Sequence, residues 1–118
     1  MKNTESQIFN YRDIPNENWK LLACIDESES YEVDVSEIYL NTKTKKFILV
    51  TASGCSCWDG EYEDEEYSSL NDIKKYLLSR DDRGYSYNPS VRGAIELVEM
   101  AKENYMKLKN KKEVKSKK

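Results

Sequence analysis

A chain of 118 residues has room for one hydrophobic core, since cores of this size bury roughly two-thirds of the surface that their unfolded chains expose. The apolar fraction of 38% is low, yet nine tyrosines, two tryptophans and two phenylalanines supply bulky groups that bury much area per residue, which excludes a disordered chain. A net charge of −3 with a pI near 5.1 argues against duplex nucleic acid as the main ligand, and the absence of histidine removes the commonest general base and a leading metal ligand.

The first ten residues, MKNTESQIFN, lack the apolar centre of a secretory signal. No later run approaches the roughly 20 apolar residues needed to cross a bilayer. The cytoplasm is the expected compartment, with Cys24, Cys55 and Cys57 as thiols, because an odd cysteine count in a reducing compartment suits a disulfide framework badly. The charge is unevenly placed along the chain. Residues 26–37 hold six acids and no base, residues 59–66 hold six more, and from Lys102 onward eight lysines stand against Glu103 and Glu113.

In chain order, NWKLLACIDE makes a first strand with Trp19, Leu21, Ala23 and Ile25 on one face. YEVDVSEIYL alternates at its start, with Tyr31, Val33 and Val35 inward and Glu32 and Asp34 outward. After Ser36 the alternation slips toward Ile38 and Leu40, which predicts a bulge there. The polar link at residues 41–45 is a hairpin loop. KFILVTA then forms a third strand ending at Ala52 and turning at Gly54, and its FILV run is apolar on both faces, as in a strand covered on both sides.

SLNDIKKYLLSR opens a helix with Ser69 as N-cap and Asp72 three residues on, and Leu70, Ile73, Tyr76 and Leu77 form its apolar face. RDDRGYSYN is a loop, and Asn88-Pro89 reads as the cap and first residue of a second helix. There Val91, Ala94, Ile95, Val98, Ala101, Tyr105 and Leu108 recur at three- and four-residue spacing. The expected fold is α+β: a three-stranded antiparallel meander with two C-terminal helices packed on one face, in a single domain over residues 1–110. Residues 111–118 are expected to be a flexible basic tail.

The segment ASGCSCWDGEYEDEEY, residues 52–67, is the chemically densest part of the chain. Cys55 and Cys57, joined by Cys24 from a neighbouring strand and by Asp59, offer a minority metal reading. Structural zinc takes four ligands, most often from Cys and His pairs at two-to-four-residue spacing, and that pattern is missing. The acids do not follow the Asp-x-Asp-x-Asp-Gly spacing of a calcium loop. Covalent catalysis is disfavoured because the thiolate form is opposed by the surrounding carboxylates and no histidine stands by as base. Phosphate-loop and nucleophile-elbow motifs are also missing. The expectation is a protein that is not an enzyme, needs no cofactor and acts by binding.

The candidate partner-binding residues are Trp58, Glu61, Tyr62, Glu63, Asp64, Glu65, Glu66 and Tyr67, the carboxylates imitating phosphates and the rings serving as anchors. An alternative site for a small anionic or nucleotide-like ligand is Arg80, Arg83, Tyr85, Tyr87 and Arg92, where charge and aromatics interleave. For the lysine tail the expectation is solubility, not direct nucleic-acid binding.

The order of a strand, Ser53-Gly54-Cys55-Ser56-Cys57, an acidic aromatic stretch and a helix resembles that of a group of small proteins of no assigned activity encoded by bacteriophages and related mobile elements. The likeness spans residues 19–80. Many of those proteins continue with proline and phenylalanine after the second cysteine, where this chain has Trp58-Asp59-Gly60. The resemblance implies a phage or prophage origin, and so a bacterial host cell, and carries no activity with it. For a small acidic protein there, the implied partner is a host protein such as a defence nuclease or nucleic-acid-binding complex, antagonised in the manner of an anti-CRISPR. No membrane partner is expected.

Overall fold

In the computed structural model, residue 9 and residues 16–28, 32–55, 62–79 and 91–116 are described. Four strands, β1 (Trp19–Asp26), β2 (Glu32–Asn41), β3 (Phe47–Cys55) and β4 (Glu63–Tyr67), precede two helices, α1 (Leu70–Leu78) and α2 (Val91–Ser116). The strands form one antiparallel sheet in the order β1-β2-β3-β4. The α+β class and antiparallel meander agree with the sequence reading, but the sheet has a fourth strand. The acidic stretch, to which the sequence pattern assigns no strand or helix, supplies it. Period-two patterning looks for apolar side chains on one face, and a strand whose first four residues are all acids carries no such signal.

Both sheet faces are covered. On one, Leu22, Ala23, Ile38, Leu40, Phe47 and Leu49 meet Leu70, Ile73 and Leu77 of α1 and Ala94, Leu97, Val98 and Ala101 of α2. On the other, Cys24, Val35, Tyr39, Ile48, Val50 and Ala52 pack with Phe9 from the N-terminal segment. The FILV run therefore splits as its composition predicts, Phe47 and Leu49 toward the helices and Ile48 and Val50 away from them.

The bulge lies on β1, not after Ser36. Leu21 pairs with Tyr39 and Ala23 with Ile38, so Leu22 is the extra residue, while β2 runs against β3 without a break from Glu32 to Leu40. The bulge reverses the alternation of β1. Trp19 and Leu21 pack on the Phe9 side, whereas Ala23 and Ile25 belong to the helix side, contrary to the single face expected for all four. The carbonyl of Leu22 accepts a 2.6 Å hydrogen bond from Asn104 Nδ2 of α2, which ties the long helix to the bulge.

β3 continues beyond Ala52, with Ser53, Gly54 and Cys55 paired to Asp34, Val33 and Glu32, so Gly54 lies in the ladder and not in a turn. In the β2–β3 connection, Asn41 Oδ1 accepts from the backbone N–H groups of Lys43 and Thr44, and the Lys45 N–H donates to the Asn41 carbonyl at 2.7 Å. Lys45 has φ 66°, a left-handed conformation that costs a non-glycine residue about 1–2 kcal/mol, and these local bonds offset it.

Ser69 caps α1 as expected, its hydroxyl accepting from the Asp72 N–H at 3.1 Å. In α2, Ala94, Val98 and Ala101 are buried as the spacing predicts, but Ile95 is 40% exposed and its place is taken by Leu97. The backbone of α2 is helical through Ser116, where a frayed tail was expected. In its first turn, a Cβ on Gly93 would lie 2.7 Å from Glu27 Oε2. Glycine thus admits the Glu27 carboxylate to the helix end whose dipole favours negative charge. No helix among the described residues is long and apolar enough to cross a membrane.

Candidate functional site

Among the described residues, β4 is an edge strand of the sheet, paired only to β3. Glu63, Asp64, Glu65 and Glu66 are all exposed, and their cross-strand partners are Thr51, Val50, Leu49 and Ile48. The pairing strand therefore brings no cation to them. An extended strand advances about 3.3 Å per residue and sends successive side chains to opposite faces. Glu63 and Glu65 share one face of the edge and Asp64 and Glu66 the other, with same-face neighbours roughly 7 Å apart. Overall the edge carries one carboxylate per ~3.3 Å, close to the ~3.4 Å rise per phosphate along one strand of a duplex.

The aromatics of this stretch have another role. Tyr62 is half-buried, its ring edge-to-face with Phe9 at 4.9 Å between centroids. Tyr67 packs against the helix-side core, lies 5.9 Å from the Tyr76 ring and donates its hydroxyl to Glu65 Oε1 at 2.8 Å. These two half-buried rings pin the ends of β4 to the two faces of the sheet. The carboxylates between them are what the strand presents to solvent.

A second carboxylate feature was not foreseen. Glu37 is fully buried, in the period-two row Val33, Val35, Glu37 and Tyr39 on the face away from the helices. Tyr39 Oη donates to its Oε1 at 2.7 Å, and Cys24 Sγ donates to its Oε2 at 3.3 Å. Cys24 is opposite Glu37 in the ladder, and Tyr39 is two residues along the same strand. The Phe9 and Trp19 rings lie against Tyr39 at 5.9 Å and 5.6 Å between centroids and help to cover the group. The sequence signal was present, a glutamate in an otherwise apolar alternating row, but it reads equally as a slipped register.

Cys24 and Cys55 are held apart by the ladder. Cys24 pairs with Glu37, Glu37 with Val50, and Cys55 lies five residues farther along β3, about 16 Å away at the rise of a strand. Ligands of one zinc lie about 2.3 Å from it, so Cys24 and Cys55 do not share a metal. The side chain of Cys55, and all of Cys57, Trp58, Asp59 and Glu61, fall outside the described residues. Among the described residues, no group of three or more Cys, Asp or Glu side chains is arranged to hold a metal ion.

Of the alternative ligand set, Arg92 is exposed in the first turn of α2. Arg80, Arg83, Tyr85 and Tyr87 lie outside the described residues. Comparison of the chain with protein-family models, with curated proteins and with solved structures gives no match.

Proposed function

We propose that this is a non-enzymatic binding protein that docks the acidic edge of β4 on the basic, nucleic-acid-binding surface of a partner protein. One observation carries the reading: four consecutive carboxylates stand exposed on an edge strand, two on each face, with uncharged residues as their ladder partners. The antiparallel pairing to β3 holds them in an extended row. Their mutual repulsion disfavours this local arrangement in isolation, and a cationic partner surface relieves it. In the bacteriophage setting that the Ser53–Cys57 segment resembles, the partner is a defence nuclease or nucleic-acid-binding complex of the host, and the protein is its antagonist.

Acidic residues on an edge also guard against strand-to-strand aggregation, so the test must separate the two roles. The full chain is immobilised, exposed to nuclease-treated bacterial lysate and eluted with duplex DNA. The reading predicts a nucleic-acid-binding protein that DNA displaces and that the variant Glu63→Gln, Asp64→Asn, Glu65→Gln, Glu66→Gln does not capture. Capture that survives both DNA and the four amides overturns it. Aggregation of the amide variant with capture intact assigns the acids to edge protection.

A further inference from the structure

The outward face of α2 is not finished as an ordinary solvated helix surface. Ile95 is 40% exposed and Met106 is 52% exposed, two of the large apolar side chains that the described residues leave open to water. Between them on the same face lie Glu99 and Lys102, both exposed. The intervals from Ile95 to Glu99, Lys102 and Met106 run four, three, four, the spacing of a coiled-coil seam. Glu99, Met100, Lys102, Glu103 and Met106 line a shallow hollow of about 380 Å³. Four of these residues stand at i, i+3, i+4 and i+7, the outline of a hole that receives a knob from a facing helix.

We infer that α2 pairs with α2 of a second copy of this chain, antiparallel, about a two-fold axis at the level of Met100 and Ala101. The argument is the symmetry of the stripe. Read from either end its spacing is the same, so an antiparallel copy sets Ile95 against Met106 of the second copy and Glu99 against Lys102 of the second copy, each contact made twice. A parallel copy sets Glu99 on Glu99 and Lys102 on Lys102. Charge thus favours the antiparallel over the parallel arrangement, in which the glutamate knob that enters the hollow sits level with Lys102, with Glu99 and Glu103 on the rim of the same hollow. The row ends in Arg92 and Lys109, both cationic, which limits the seam to its middle turns. Lys109 Nζ lies 5.6 Å from the Tyr105 ring centroid, turned along its own helix.

α2 meets the core through Ala94, Leu97, Val98 and Ala101, none of which belongs to the stripe, so pairing draws on no core side chain. β4 is at the opposite edge of the sheet from β1, against which α2 packs, and both acidic edges of the dimer stay open. A single helix pair buries less than the roughly 1,200 Å² of a standard interface, so the dimer is weak, with a dissociation constant on the order of tens of micromolar.

Sedimentation equilibrium of the full chain between about 5 and 500 µM reads this dissociation constant on the scale expected for such a helix pair. Glu99→Lys and Lys102→Glu, made singly, each place like charges across the seam and are expected to weaken association about tenfold or more. E99K/K102E together restore the opposite-charge contacts and return the constant to within about threefold of the parent. A chain that stays monomeric throughout, or single variants that associate like the parent, or a double variant no better than the singles, overturns the inference.

Discussion

Glu37 and the carboxylates of β4 are the same chemistry in opposite surroundings. Glu37 is fully buried between two strands, with a phenol and a thiol donating to its two oxygens. Glu63, Asp64, Glu65 and Glu66 face water on an edge. A buried carboxylate organises the groups around it, and removing it leaves donors whose acceptor is gone. An exposed row contributes little to stability, because water screens each charge and neighbouring acids repel one another. The two regions are therefore expected to separate by experiment into one that holds the fold and one that is free to bind.

The largest expected effect is at Glu37. Glu37→Ala takes the acceptor from both Tyr39 and Cys24 and opens a cavity on the Phe9 side, and should cost about 3–5 kcal/mol in urea unfolding. A loss below about 1 kcal/mol would mean that the site relaxes freely and that the contrast with β4 is one of location only.

Asn104→Ala comes next. It removes the 2.6 Å bond to the Leu22 carbonyl at the bulge, with an expected cost of about 1–2 kcal/mol in the same measurement. A cost equal to that of Glu37→Ala would show that the buried carboxylate is no more demanding than any half-buried polar link. The smallest effect is expected from changing Glu63, Asp64, Glu65 and Glu66 together to their amides. Stability should move by about 0.5 kcal/mol or less, with a small gain if relief of repulsion dominates. A loss above about 2 kcal/mol would place the acids in the machinery of folding.

Much of the fold was legible because its signals were local. The Ser69 cap, the two-sided apolar run at Phe47–Val50, the hairpin link after Asn41 and most of the α2 face follow from spacing and turn chemistry alone. The errors came where one feature changed the meaning of many residues. An extra residue at Leu22 switches the faces of β1, and from sequence it cannot be told from a slip in the strand that pairs with it.

Two further features hide from one-dimensional patterns. Glu37 breaks the apolar row that would have located it, because the donors that satisfy it lie on another strand and two residues away on its own. β4 has no apolar alternation, because an edge strand is held by backbone pairing and by rings at its ends. At the candidate site the acids were found by charge clustering. Their arrangement as an extended edge, and the inward commitment of Tyr62 and Tyr67, needed the structure.

The β4 carboxylates are proposed to bind a partner and not to hold the fold together. The most direct test is the affinity of the captured, DNA-displaceable partner for the parent chain and for the four-amide variant, measured by calorimetry on samples whose unfolding midpoints are compared in parallel. Four exposed ion pairs at about 0.5 kcal/mol each predict an affinity loss of roughly 30-fold with an unchanged unfolding midpoint. Equal affinity of the two chains, or a loss that tracks a lowered midpoint, would contradict the account.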